Sequence, residues 1–256
     1  MDIQHVEFDQ ATQIWKIDSI EAIRAWASGR DLPLSLHVEI GSNRGRFLKL
    51  AAALRPDRTL LGIEIRSRYA DALALELAQD GPPNAAVLAA DANLALPLLF
   101  ANGTVERLYV LFPDPWWKKR HSKRRLLTPA FFDLVADKIQ PDGLFVIKTD
   151  VEPYAEAVAE MAAASARWRR IHPGDPRWPQ DEDRWPQTTR EVKITRQGLP
   201  VWKILLTPTG HDARDQDTIP TPQRLKDRFE KPTSTEDPTQ RPRARRQPAP
   251  PGKKGR

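Results

Sequence analysis

From Leu34 the apolar residues fall into short runs, each ending near an acid or a glycine. LSLHVEI (34–40), TLLGIEI (59–65), AAVLAA (85–90), VERLYVLF (105–112) and LFVIK (144–148) have strand length and strand composition. The stretches 46–54, 67–79, 128–139 (opened by Thr-Pro) and 152–167 between them read as helices. Strands alternating with helices predict βαβ units, an α/β fold and a mainly parallel, doubly wound sheet.

The pattern is weaker at both ends. Residues 1–17 have no clean period and read as an irregular lead-in. DSIEAIRAWAS (18–28) predicts a short amphipathic helix capped by Asp18 and stopped by Gly29. After residue 170 the alternation stops, and 172–187 is a loop rich in Pro, Asp and Trp. Thr188–Ile194 and Val201–Leu206 predict a C-terminal antiparallel hairpin around Gly198-Leu199-Pro200. Beyond Pro208 the composition is that of a disordered tail. The domain organisation is thus a lead-in and helix (1–30), an α/β domain (31–207) and a Pro/Arg/Lys-rich tail (208–256).

Charge refines this picture. The chain has 256 residues and a formal net charge of +6. Residues 208–256 hold 12 Lys/Arg and 7 Asp/Glu, leaving 28 and 27 for the preceding 207 residues, so overall basicity belongs to the tail. There is no cysteine, which excludes disulfides, thiolate metal sites and cysteine nucleophiles. No metal-ligand spacing, signal peptide or membrane-length apolar run is evident, so a cytoplasmic protein without metal, membrane association or an obligatory protein partner is expected.

The acids at the strand ends carry the first chemical signal. Glu39 stands within the turn that contains Gly41 and Gly45, Glu64 follows 25 residues later, and Asp91 ends the third run. A glycine turn followed by a ribose-binding carboxylate is the adenosyl or dinucleotide arrangement. An acid inside the turn repels a pyrophosphate and attracts a sulfonium or ammonium group, which favours S-adenosylmethionine over a nicotinamide cofactor. Asp91 stands where an adenine amino group can donate to it.

The second signal is LYVLFPDPWWKKRHSKRR (108–125). Pro113 and Pro115 restrict the backbone around Asp114 where a strand should end. Trp116 and Trp117 provide stacking surface, and seven basic residues follow by Arg125, counting His121. A rigid acid, aromatic faces and dense positive charge point to chemistry on a base of structured RNA. Two rival readings remain at this level: a non-catalytic RNA-binding protein on this fold, and a nicotinamide-dependent oxidoreductase.

Together, VEIG, GIEIR, FPDPWWKKRHSKRR and KTDVEPY closely resemble the bacterial tRNA (guanine-N7-)-methyltransferase family, from about Leu34 to Leu206. The resemblance implies a class I S-adenosylmethionine-dependent methyltransferase (Rossmann-like) acting on guanine 46 in the tRNA variable loop. By motif, it places Glu39, Gly41, Glu64, Asp91 and Asp114 at the methyl donor, with Asp114 also the catalytic acidic residue. Lys118, Asp150, Thr188, Thr189, Arg190 and Glu191 would contact the substrate, and Arg120, His121, Ser122, Lys123, Arg124 and Arg125 would touch RNA. The chain departs from the family pattern at Asn43, where a G-x-G-x-G turn has glycine, at Trp117, and at Arg190, where an aromatic is usual. Asparagine tolerates left-handed backbone better than other non-glycine residues, so the turn is expected to survive.

Guanine N7 carries a free lone pair, so its methylation needs no prior deprotonation. Placement of the base against the methyl group and negative charge near a base becoming cationic are what the reaction asks for. Asp114 is therefore expected to orient and stabilise rather than act as a general base.

Overall fold

Successive residues of the inner strands are buried on opposite faces, and this builds two apolar layers. Val38, Ile40, Leu61, Ile63, Leu108, Val110, Phe145, Ile147, Ile204 and Leu206 share one layer, while Leu60, Tyr109, Leu144, Val146 and Leu205 share the other. The computed structural model describes Phe8–Asp9, Ile14–Trp15, 35–115 and 125–210. The expected helix at 18–28 and the tail beyond Gly210 lie outside these residues.

In chain order the elements are β1 (Phe8–Asp9), β2 (Ile14–Trp15), β3 (Leu36–Ile40), α1 (Arg46–Leu54), β4 (Thr59–Glu64), α2 (Ser67–Asp80), β5 (Ala85–Ala89), α3 (Ala92–Leu99), β6 (Val105–Leu111), α4 (Pro129–Lys138), β7 (Ile139–Thr149), α5 (Glu152–Ala164), β8 (Trp168–Ile171), α6 (Thr189–Arg196) and β9 (Trp202–Pro208). The main sheet has seven strands in the order β5-β4-β3-β6-β7-β9-β8. Pairing is parallel from β5 to β7, and β9 joins β7 and β8 antiparallel. Helices α3, α4 and α5 cover the first layer; α1 and α2 cover part of the second. The remainder of the second layer is closed by the 172–187 loop, whose Trp178 and Trp185 pack on it. Asp181 anchors that loop through Arg55 (2.7 Å), Arg107 (3.5 Å) and the Trp185 indole N–H (3.2 Å).

Four expectations are corrected. The lead-in is not wholly irregular, because β1 and β2 pair antiparallel. Residues 92–99 form a helix that the reading left unassigned; Asp91 caps it, accepting from the Asn93 backbone N–H at 2.9 Å. A strand was also missed at Trp168–Ile171, where only the two end residues are buried, a pattern that alternation does not reveal.

The fourth correction concerns the hairpin. Residues 188–194 are not a strand: Thr188 caps α6, its hydroxyl accepting from the Glu191 N–H at 3.0 Å, and Glu191 and Ile194 are buried at helical spacing. Gly198, expected as a hairpin turn, has φ 69° and closes the helix instead, with Gly198 N–H to Thr195 O at 3.0 Å and Leu199 N–H to Ile194 O at 3.2 Å. The antiparallel partners of β9 are β7 and β8.

Phe145 is fully buried, with Phe132 and Trp168 rings 5.4 and 5.5 Å away. Phe145→Ala is expected to destabilise the domain by about 3–5 kcal/mol in urea unfolding. A loss under about 1 kcal/mol would mean that this layer does not hold the sheet together.

Candidate active site

The chain runs outward from β3 through β4 to β5, then returns to the other side of β3 for β6 and β7. The crevice of such a sheet lies at the carboxyl ends of the strands, where this reversal occurs. Each parallel strand brings an acid to that edge. In spatial order these are Asp91 after β5, Glu64 ending β4, Glu39 in β3, Asp114 after β6 and Asp150 after β7; Glu39 is thus a strand residue just before the turn, not within it as expected.

The turn from β3 to α1 is left-handed at three residues, Gly41 (φ 77°), Asn43 (φ 51°) and Gly45 (φ 68°). Asn43 thus takes the conformation expected for it, and its backbone N–H donates to Glu64 Oε2 at 2.8 Å. At Gly45 a Cβ would stand 2.3 Å from Leu73 Cδ1, so glycine is what lets α1 and α2 approach. At Gly41 a Cβ would meet nothing within 4 Å; the backbone there faces open space.

Glu39 and Glu64 are both buried but differ in their partners. Glu64 is satisfied by Asn43 N–H and, on Oε1, by the Arg66 N–H (2.9 Å) and guanidinium Nε (3.3 Å). Arg66 in turn lies 4.7 Å over the Tyr69 ring. Glu39 Oε2 has no hydrogen-bond partner among the described residues. Burial and the neighbouring Glu64 charge push the Glu39 carboxyl up to about 8, against a smaller opposing pull from a Leu48 backbone hydrogen bond. An acceptor of this kind, beside open backbone at Gly41, fits a cationic ammonium or sulfonium ligand and would repel a phosphate.

On the other side of β3, Phe112 directly follows β6 with φ 55°, a strained value for an aromatic residue. The Phe112 N–H donates to Lys148 O at 2.7 Å, which fixes the abrupt exit of the Pro113-Asp114-Pro115 turn. Asp114 is exposed, and its charge and that of Arg125 both act on the buried Tyr154 hydroxyl in α5. Burial, with Asp114 adding to it, pushes that hydroxyl up to about 12.

The described residues among those expected to contact the substrate meet at the start of α6. Arg190 donates to Asp150 through Nε (3.1 Å) and an NH2 group (2.9 Å). Glu191 is buried and paired with Lys148 at 2.8 Å. Thr188 is the cap described above, and Thr189 is exposed. Trp116, Trp117, Lys118, Arg120, His121, Ser122, Lys123 and Arg124 lie outside the described residues. Lys148, Arg66 and Tyr154 also lie at these groups and are not among the residues expected from the sequence. A charged residue closing the apolar run 144–148, two positions before Asp150, was the available signal for Lys148.

The family described as "Putative methyltransferase" matches residues 34–204. Among similar curated proteins, the tRNA (guanine-N(7)-)-methyltransferase of Cronobacter sakazakii is 35% identical over 69% of this chain and 73% of its own length. That of Alcanivorax borkumensis is 37% identical over the same shares. In fold, the chain is similar to the 16S rRNA methyltransferase KamB, with a TM-score of 0.51 and 16% identity over 78% of this chain and 98% of that one.

With Glu39 pushed up to about 8, the carboxyl is neutral at pH 7 until a cation meets it. Binding of S-adenosylmethionine at about pH 7 is therefore expected to release close to one proton, and affinity should rise with pH, up to roughly tenfold per unit between about pH 6 and 7.5. Calorimetry in buffers of different ionisation enthalpy measures both. A pH-independent affinity without proton release would remove Glu39 from the ligand site, and Glu39→Gln is expected to abolish the dependence.

Proposed function

The chain belongs to the tRNA (guanine-N(7)-)-methyltransferase family, and from that premise we propose that it transfers a methyl group from S-adenosylmethionine to N7 of guanine 46 in the variable loop of tRNA. The observation that carries this reading is the buried Glu39 oxygen, without a hydrogen-bond partner among the described residues, in a row of strand-end acids that continues to Asp114.

Glu39 takes the ammonium end of the methyl donor, Gly41 gives it close backbone approach, Glu64 accepts from the ribose hydroxyls, and Asp91 accepts from the adenine amino group. When bound, S-adenosylmethionine supplies an electrophilic methyl carbon on a sulfonium. The N7 lone pair forms the new N–C bond as the S–C bond breaks and its electron pair stays with sulfur. No proton leaves beforehand, and no nucleophilic side chain is required.

Asp114 accepts from the N1–H and N2–H₂ edge of guanine, holds N7 in line and balances the positive charge that the base acquires. Lys118, Asp150, Thr188, Thr189, Arg190 and Glu191 position the nucleotide. Arg120 to Arg125 grip flanking phosphates, and one of Trp116 and Trp117 stacks on the exposed base. For this placement the Arg190–Asp150 pair, both partners of which are on the substrate side, has to share its donors with the RNA.

Incubation with unmodified tRNA and a labelled methyl donor is expected to leave one borohydride- and aniline-sensitive guanine, at position 46. Asp114→Asn is expected to lower kcat roughly a hundredfold or more while affinity for S-adenosylmethionine changes far less. Label at another base would overturn the substrate assignment, and near-normal turnover by Asp114→Asn would overturn its role.

A further inference from the structure

We propose that Lys148 is a positioning residue for methyl transfer, holding Glu191 so that one carboxylate oxygen is tied down while the other is left for an N–H of the target nucleotide. This rests on the reading of Glu191 as a substrate contact. Lys148 and Glu191 are both nearly inaccessible, 2% and 4% exposed, and Nζ meets Oε1 at 2.8 Å. Glu191 Oε2 is also buried, with no hydrogen-bond partner among the described residues. A buried ion pair is a poor stabiliser unless its remaining lone pairs are satisfied, and apolar side chains of similar volume do at least as well. The unpartnered oxygen is the feature that a purely structural pair lacks any reason to keep. A nucleotide N–H is the kind of donor that completes it.

The surroundings support an orienting task. Glu191 is the third residue into α6 from its Thr188 cap, where a glutamate usually reaches back to the cap's own N–H. Here its carboxylate engages β7 instead, while its backbone N–H goes to the Thr188 hydroxyl. Two residues beyond Lys148, Asp150 holds Arg190, so consecutive residues of α6 are clamped onto the end of one strand. The Lys148 carbonyl oxygen also accepts the Phe112 N–H, two residues before Asp114. One residue thereby ties the Asp114 turn through its backbone and Glu191 through its side chain. The two groups that must agree on the base's position share a single point of attachment.

A double-mutant cycle tests this, with Lys148→Met, Glu191→Gln and the double variant. The readouts are affinity for S-adenosylmethionine by calorimetry, and kcat and KM with unmodified tRNA. Each single variant is expected to lose roughly a hundredfold in kcat, with KM for tRNA and cofactor affinity within about threefold of the parent. The double variant should be no slower than the slower single, because Lys148 acts only through Glu191. The double also buries no lone charge, so it decides the matter if Lys148→Met fails to fold: kcat equal to that of Glu191→Gln supports the proposal, and a further tenfold drop overturns it. A normal Lys148→Met beside an impaired Glu191→Gln overturns the role of Lys148 and leaves the substrate reading intact. If both singles are normal, it is Glu191 as a substrate contact that fails, and the proposal with it. Parallel loss of cofactor affinity in Lys148→Met also overturns it, since general damage to the fold produces that result.

Discussion

Two carboxylates buried at the ends of neighbouring strands are an unfavourable arrangement, and the turn between β3 and α1 is built around it. The glycine turn after β3 brings the Asn43 N–H to Glu64, and Arg66 supplies two further donors, so that charge is met. Among the described residues, none gives Glu39 Oε2 such support. An anion without a partner in a buried site costs several kcal/mol, and the group answers by keeping its proton until a cation arrives. That electrostatic demand is the basis for the proposed ligand: a sulfonium with an ammonium group would relieve it, and a phosphate would aggravate it. The parallel order of β5, β4, β3, β6 and β7 extends the row to Asp114 and Asp150, the proposed place of the base.

The substrate side follows a related logic with the opposite result. Glu191 has its cation in place, and Asp150 has Arg190. These pairs attach α6 to the end of β7, and the strained Phe112 attaches the Asp114 turn to the same strand. The 172–187 loop, pinned by Asp181 and its tryptophans, delivers the chain to Thr188 and so sets where α6 begins. The half proposed to meet the methyl donor is a rim of strand ends; the half proposed to meet RNA is, among the described residues, a set of turns and a helix start fastened to one strand.

Much of this was legible from residue order alone, for identifiable reasons. The parallel strands are buried on both faces, so their apolar runs stand out, and each ends near an acid that the sheet topology then aligns. Asn43 could be read because few non-glycine residues adopt its backbone conformation. The segment 188–194 could not: T-T-R-E-V-K-I alternates well enough to suggest a strand, and only the Thr188 cap and the Gly198 helix stop, both dependent on backbone geometry, make it a helix. Lys148 was hidden for another reason. Its partner is 43 residues away, and a charge closing an apolar run marks the position without showing that the lysine is buried or what it pairs with.

The account stands or falls on the strand-end acids forming a single ligand site. A crystal structure of the protein with S-adenosylhomocysteine tests this most directly. The account predicts the amino acid end of the ligand at Glu39 and Gly41, the ribose on Glu64, the adenine beside Asp91, and the sulfur facing Asp114. A ligand seated away from this edge, or lying across it with Glu39 Oε2 still unpartnered, would contradict it.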